Sequence, residues 1–199
     1  MRELYTGDEY FSQIEKKLEK ELDKKRFIHT KGVAYTAVSL AMAHGERLHD
    51  AYLAGLLHDC AKCIPADDKL ALCHKYKLTL SEAEQANPDL LHAKLGAVIA
   101  KEKYDIQNDD ILNAICCHTT GKPDMTELEK IIYIADYMEP NRKMLDGFTE
   151  VRQMAFRDLN QAMVMISHHI LQYLQEKQVF IDPLTQETYD YYKEMTGKE

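Results

Sequence analysis

The chain of 199 residues is 45% apolar and 29% charged, the balance of a folded domain rather than a disordered one. Its 33 acidic against 25 basic residues leave a net charge of −8, a surface that repels a nucleic-acid backbone. No apolar run reaches the ~20 residues that span a bilayer, and the start, Met1-Arg2-Glu3-Leu4-Tyr5, lacks the apolar stretch of an export signal. Five cysteines, an odd number with Cys116 and Cys117 adjacent, do not make a disulfide framework. The expectation is a reduced, cytoplasmic protein that partners neither nucleic acid nor membrane.

Period-3.6 patterning dominates from end to end. Thr6-Gly7-Asp8-Glu9 has capping-box spacing and predicts a first helix over Glu9–Leu22, with Tyr10, Phe11, Ile14, Leu18 and Leu22 inward. A second helix is expected from Lys25 to His44, stopped by Gly45, and its small Val33, Ala34, Ala37, Val38 and Ala41 imply close packing. A third, Leu48–Cys60, is almost wholly apolar and reads as a central buried helix. Shorter helices follow at Pro65–Lys75, Ser81–Ala86, His92–Lys103, Asp109–His118 and Thr126–Met138, then Phe148–Asp158 and Leu159–Glu176. The five prolines fall at the proposed junctions, and Val179-Phe180-Ile181 is the nearest thing to a strand. The reading is one all-α domain over 1–199, a bundle of about ten helices.

The polar residues set inside this apolar pattern are the informative ones. Leu53-Ala54-Gly55-Leu56-Leu57 runs straight into His58-Asp59. A buried carboxylate beside an imidazole costs several kcal/mol without partners; a metal ion would supply them, and a solvated helix end with His58 and Asp59 paired is the alternative. His29 sits in the small-residue part of the second helix, His92 follows Leu90-Leu91, His118 ends an apolar segment, and Asp136 interrupts another. Converging helices can bring such side chains to one point inside a bundle.

The ordered series His29, His58-Asp59, His92, His118 and Asp136 resembles the HD superfamily of metal-dependent phosphohydrolases. Four segments, Arg26 to Val33, Gly55 to Lys62, His118 to Gly121 and Tyr133 to Arg142, look like its YqeK-like branch of symmetrical bis(5′-nucleosyl)-tetraphosphatases. The likeness covers about Arg26–Arg142. It implies an HD-type bundle that cuts diadenosine tetraphosphate into two ADP by in-line attack of a metal-bound hydroxide on phosphorus.

The resemblance also implies that His29, His58, Asp59 and Asp136 hold one ion. His92 and His118 either hold a second ion with Asp59 bridging or contact phosphate directly. The mixed N/O donor set suits iron, manganese, zinc or a similar ion, and iron is the first expectation, with manganese or another divalent metal as the alternative. Lys62, three residues beyond Asp59, is assigned with Asp59 to the catalytic step. Arg26, Arg142, Thr119 and Gly121 join His29, Asp59, Lys62, His92 and His118 as expected substrate contacts. Oligomeric state stays open, a homodimer included.

The other conspicuous residues have plainer readings. Cys60-x-x-Cys63 has redox or zinc spacing without the context for either, and Cys116 and Cys117 read as core filler. His44 and His49 read as surface, His74 lies in a short polar helix, and the pair His168-His169 stays outside the metal site. Tyr189, Tyr191 and Tyr192 read as a packed tail, with Lys177 to Phe180 a weaker candidate for lining the nucleotide site. Two rival functions remain: an HD phosphohydrolase acting on a mononucleotide or an alarmone, and a metal-containing nucleotide sensor. Cys60-Ala61-Lys62 after the His-Asp pair, in place of paired acidic residues, argues against the alarmone reading.

Overall fold

The computed structural model describes residues 9–144 and 146–197; the capping-box signal at Thr6–Asp8 lies outside them. Among the described residues there are eleven α-helices and no strand. They are α1 (Glu9–Glu21), α2 (Lys24–His44), α3 (Leu48–Leu57), α4 (Ala66–Lys75), α5 (Glu82–Ala86), α6 (Leu91–Tyr104), α7 (Asp109–Cys117), α8 (Glu127–Met138), α9 (Phe148–Ala155), α10 (Leu159–Glu176) and α11 (Pro183–Thr196). A single 3-10 turn, Pro88–Leu90, leads into α6.

Local chemistry sets these boundaries. The Asp23 carboxylate accepts from the Arg26 N–H at 2.9 Å and starts α2, which Gly45 ends in the left-handed conformation at φ 76°. Ser81 and Thr126 each form a reciprocal capping box, with Glu84 and Glu129 respectively, so α5 and α8 begin one residue after the predicted starts. The third helix stops at Leu57 rather than Cys60. Beyond it the chain tightens into turns bonded at three-residue spacing, Cys60 N to Leu57 O and Lys62 N to Asp59 O. Likewise α9 ends at Ala155 rather than Asp158, because Asp158 is the N-cap of α10 and accepts from Gln161 N–H. The eleventh helix is additional to the predicted set, although Asp182 caps it and Pro183 occupies its first turn.

The core lies along α2, α3, α7 and α8. Predicted inward residues Phe11, Ile14, Leu18, Leu22, Val33, Ala34, Ala37, Val38 and Ala41 are all buried. Tyr10 is exposed instead, its ring stacked on His49. The small residues on α2 admit α3 at backbone contact: a Cβ on Gly55 would stand 2.8 Å from the Ala34 Cα. α7 packs on α3, α6 and α8, while α10 spans α8, α9 and α11. A satellite apolar cluster of Ala61, Cys73, Leu91 and Leu95 ties α4 to α6. One end of this bundle gathers the start of α2, the residues just past α3, the start of α6, the residue just past α7, and the last turn of α8.

Because Gly55 faces backbone that cannot yield, Gly55→Ala is expected to destabilise the fold by about 1–3 kcal/mol through overpacking, despite alanine's better helix propensity. Urea unfolding followed by circular dichroism measures this, and stability equal to or above wild type would refute the close approach.

Candidate metal centre

All six side chains singled out by the apolar pattern meet at that end of the bundle. Asp59, only 2% exposed, stands between two pairs of imidazoles. Its Oδ2 lies 3.4 Å from His58 Nε2 and 3.8 Å from His29 Nε2. Its Oδ1 lies 3.2 Å from His92 Nε2 and 3.8 Å from His118 Nε2. Asp136 Oδ1 closes the first group, 2.9 Å from His29 Nε2 and 3.7 Å from His58 Nε2. In the second group His92 Nε2 and His118 Nε2 are 3.2 Å apart.

The other ring nitrogens explain why every Nε2 points inward. His58 Nδ1 bonds the Gly55 carbonyl and His118 Nδ1 the Ile115 carbonyl, both at 2.7 Å, and His92 Nδ1 bonds the Asp89 carbonyl. A carbonyl can only accept, so Nδ1 carries a proton and Nε2 is the ring atom turned toward the cluster. These carbonyls belong to residues three positions earlier, at a helix end or the turn before α6, where backbone groups lack helical partners. His29 differs: its Nδ1 is 3.0 Å from Oε1 of Glu139, a buried carboxylate held in turn by the Asn141 N–H at 2.7 Å and the Asn141 side-chain amide at 2.9 Å. Gly32 leaves the room Glu139 occupies, since a Cβ there would collide with Glu139 Oε2.

The electrostatics favour an uncharged His118 and ionised Asp59 and Asp136. Burial pushes His118 down to about 3, helped by His58 and His92. Burial alone would raise the carboxyl of Asp59, but His58, His92 and His118 outweigh it and hold the group well below the usual range. Asp136 is likewise lowered against the effect of burial by His29, His58 and Arg142. For His58, burial is outweighed by Asp59 and Asp136, and its pKa rises.

A metal fits these residues. The Nε2 atoms of His29 and His58 are buried with no hydrogen-bond partner, an expensive arrangement that coordination would relieve. Three overlapping groups, His29-His58-Asp59, His58-His118-Asp136 and Asp59-His92-His118, each bring their ligand atoms within 4.8 Å of one another. Imidazole nitrogen mixed with carboxylate oxygen suits transition metals such as iron and manganese.

A cavity of 950 Å³ opens over the cluster, with His29, His118 and Asp136 among its lining residues. Lys24, Lys25, Arg26, Arg142 and Lys143 also line it, a local concentration of positive charge in an acidic protein. Arg26 Nη1 is 2.5 Å from Asp59 Oδ2, and Arg142 Nη2 is 2.5 Å from Asp136 Oδ1. Thr119 borders the cavity. Lys62 lies outside it, with Nζ 3.4 Å from His92 Nδ1, and burial lowers its pKa although Asp59 and Asp89 pull the other way. Gly121 is also off the cavity lining. It takes a left-handed φ of 66°, and a Cβ there would stand 2.6 Å from Thr188 of α11.

Several residues with no role assigned from the sequence complete the site: Glu139, Asn141, Gly32, the rim lysines, and the apolar wall of Tyr133, Tyr137, Phe148 and Ile170. Gly32 carried a usable signal, since an interior helical glycine costs about 1 kcal/mol against alanine and one turn from His29 it asks for a reason. The residues read as bystanders mostly are. All five cysteines are free, with Cys60 and Cys117 pushed up by burial. His74 and His168 are exposed, whereas His44 and His49 are half-buried, the former bonding the Ala155 carbonyl at 2.7 Å. Val179 and Phe180 are exposed and do not line the cavity. Tyr192 is buried, its hydroxyl accepting from the Met125 N–H at 2.8 Å, as a packed tail requires.

Residues 26–141 match the HD domain family, a span that contains every proposed ligand. The chain belongs to the HD domain family. It is 38% identical over 174 residues to a Bacillus subtilis protein, covering 87% of this chain and 92% of that one. It is 39% identical over 169 residues to one from Halalkalibacterium halodurans, covering 85% and 89%. Both relatives are named symmetrical bis(5′-nucleosyl)-tetraphosphatase. A crystal structure from Clostridium acetobutylicum, described as a predicted HD superfamily hydrolase involved in NAD metabolism, superposes with a TM-score of 0.89 at 39% identity, over 93% of this chain and 97% of that one.

In this HD protein Glu139 orients His29 as outer carboxylates orient ligating histidines elsewhere. Glu139→Gln is therefore expected to weaken metal affinity about 10–100-fold while leaving helical content unchanged. Chelator competition with elemental analysis reads the affinity, and undiminished metal retention would remove Glu139 from the site.

Proposed function

We propose that this HD protein is a metal-dependent hydrolase that cleaves diadenosine tetraphosphate at its central anhydride to release two ADP. A single HD domain spanning the chain carries the activity, with the ligand segments in 26–142 and the C-terminal helices completing the bundle. The observation that carries the reading is the convergence of four imidazole Nε2 atoms on two carboxylates beneath a cationic rim, in a chain 38–39% identical to enzymes of that name.

On this reading His29, His58, Asp59 and Asp136 hold one ion, iron first and manganese as the alternative. His92 and His118, which face the other Asp59 oxygen, would hold a second ion or contact the phosphate directly. When bound, such ions make water acidic enough to supply a nucleophile near neutral pH and offset charge on the phosphoryl oxygens. The chain contributes the rest. Arg26 and Arg142 exchange part of their carboxylate pairing for substrate phosphates, which planar guanidinium groups can bind through two donors. The rim lysines hold the outer phosphates, and Thr119 offers a hydroxyl. Lys62, behind His92, adds positive charge where the reacting phosphate sits. Together these groups reverse the field of an acidic protein over the one surface a polyanion must approach. Five free cysteines fit the reducing cytoplasm as the compartment.

With iron or manganese present, ADP is the expected sole nucleotide product from diadenosine tetraphosphate, resolved by anion-exchange chromatography; AMP together with ATP would refute central cleavage. Asp59→Ala is expected to lose bound metal and to lower kcat/KM by more than the ~100-fold that removal of an outer partner costs, with the helical spectrum retained. Full turnover by that variant would place the chemistry elsewhere.

A further inference from the structure

We infer that the aromatic wall of the cavity is a nucleobase subsite, with the ring of Tyr137 as its stacking plate. The inference rests on the nucleotide reading above and adds to it the place of the base.

Asp136 and Tyr137 are consecutive on α8, so one helix delivers a metal ligand and the next ring to the same cavity. That ring is backed by others. Tyr137 stacks on Phe148 with centroids 5.3 Å apart and planes 22° from parallel. The Arg152 guanidinium lies 4.6 Å from the Phe148 centroid, fixed by bonds to the Met138 carbonyl at 3.0 Å and the Glu139 carbonyl at 3.2 Å. The Tyr137 hydroxyl meets His169 Nδ1 at 3.1 Å, which fixes its far end. Tyr137 is thus a rigid, half-buried plate whose remaining surface borders both the 950 Å³ cavity and an adjoining one of 410 Å³.

Two further observations point to a ligand there. The Tyr133 hydroxyl, one turn earlier on the same wall, is buried without a hydrogen-bond partner, an unmet polar group that a sugar or base could satisfy. The cavity lining also combines two unlike sets of side chains, the cations Lys24, Lys25, Arg26, Arg142 and Lys143 and the apolar Tyr137, Phe148 and Ile170. A bare polyphosphate has no use for the aromatic wall, and an uncharged aromatic has none for the cations. A nucleoside phosphate uses both, because every base has a face that stacks on an aromatic ring.

The test compares two ligands on metal-loaded protein by titration calorimetry: ADP, which has a base, and inorganic tripolyphosphate, which has none. Tyr137→Ala is expected to weaken ADP binding about five- to a hundred-fold, the range for losing one stacked base, and to leave tripolyphosphate within about twofold. Tyr137→Phe keeps the plate and is expected to bind ADP within about threefold of wild type. Undiminished ADP affinity in Tyr137→Ala, or equal losses for both ligands, overturns the subsite. Should Tyr137→Ala fail to fold, Tyr137→Leu removes the aromatic face while keeping apolar bulk and is held to the same contrast. The comparison needs no turnover, so AMP and ATP as products would defeat the proposed hydrolysis, while these affinities alone decide the base subsite.

Discussion

The structure turns on the burial of one carboxylate. Asp59 is almost fully removed from water, and an isolated ionised carboxylate in that position would cost several kcal/mol. The Arg26 guanidinium pairs with one of its oxygens and four imidazole Nε2 atoms crowd around both, an arrangement that a bound cation would complete. Much of the fold near the site is the means of delivering those partners. The small residues on α2 and Gly55 on α3 bring two backbones into contact, which places His29 beside His58 and Asp59.

Helix ends serve this purpose better than helix middles. His58 and His118 stand one residue past α3 and α7, and His92 is the second residue of α6. Carbonyls at or next to these ends are free to take an Nδ1 proton, so each ring is oriented by its own chain before any ion arrives. His29 lies further inside its helix, where the carbonyls are spoken for by the helix itself. Glu139 takes the orienting role instead, and Gly32 and Asn141 shape the space that holds it.

The site residues legible in the sequence were the ones out of place in an apolar pattern. His29, His58, Asp59, His92, His118 and Asp136 each interrupt or border an apolar stretch, and a polar group there needs an explanation whichever fold is adopted. Glu139 and Asn141 give no such signal because they follow Met138 and Pro140 at a helix end, where polar residues are ordinary. Tyr137 and Phe148 give none because an aromatic on an amphipathic helix reads as core. Gly121 misleads in the opposite direction: following His118, it suggests a phosphate loop, whereas its left-handed backbone and its closeness to Thr188 tie it to α11.

Composition, periodicity and capping residues by themselves determined an all-helical chain, most of its helix limits and which polar side chains stand out of place in an apolar pattern, since these depend on residues within a few positions of one another. Tertiary packing decided that α11 lies against α10. It also decided which face of Asp59 each histidine pair meets, and that cations and aromatic rings share one cavity. Those features join residues separated by scores of positions, and no local preference encodes the distance between them.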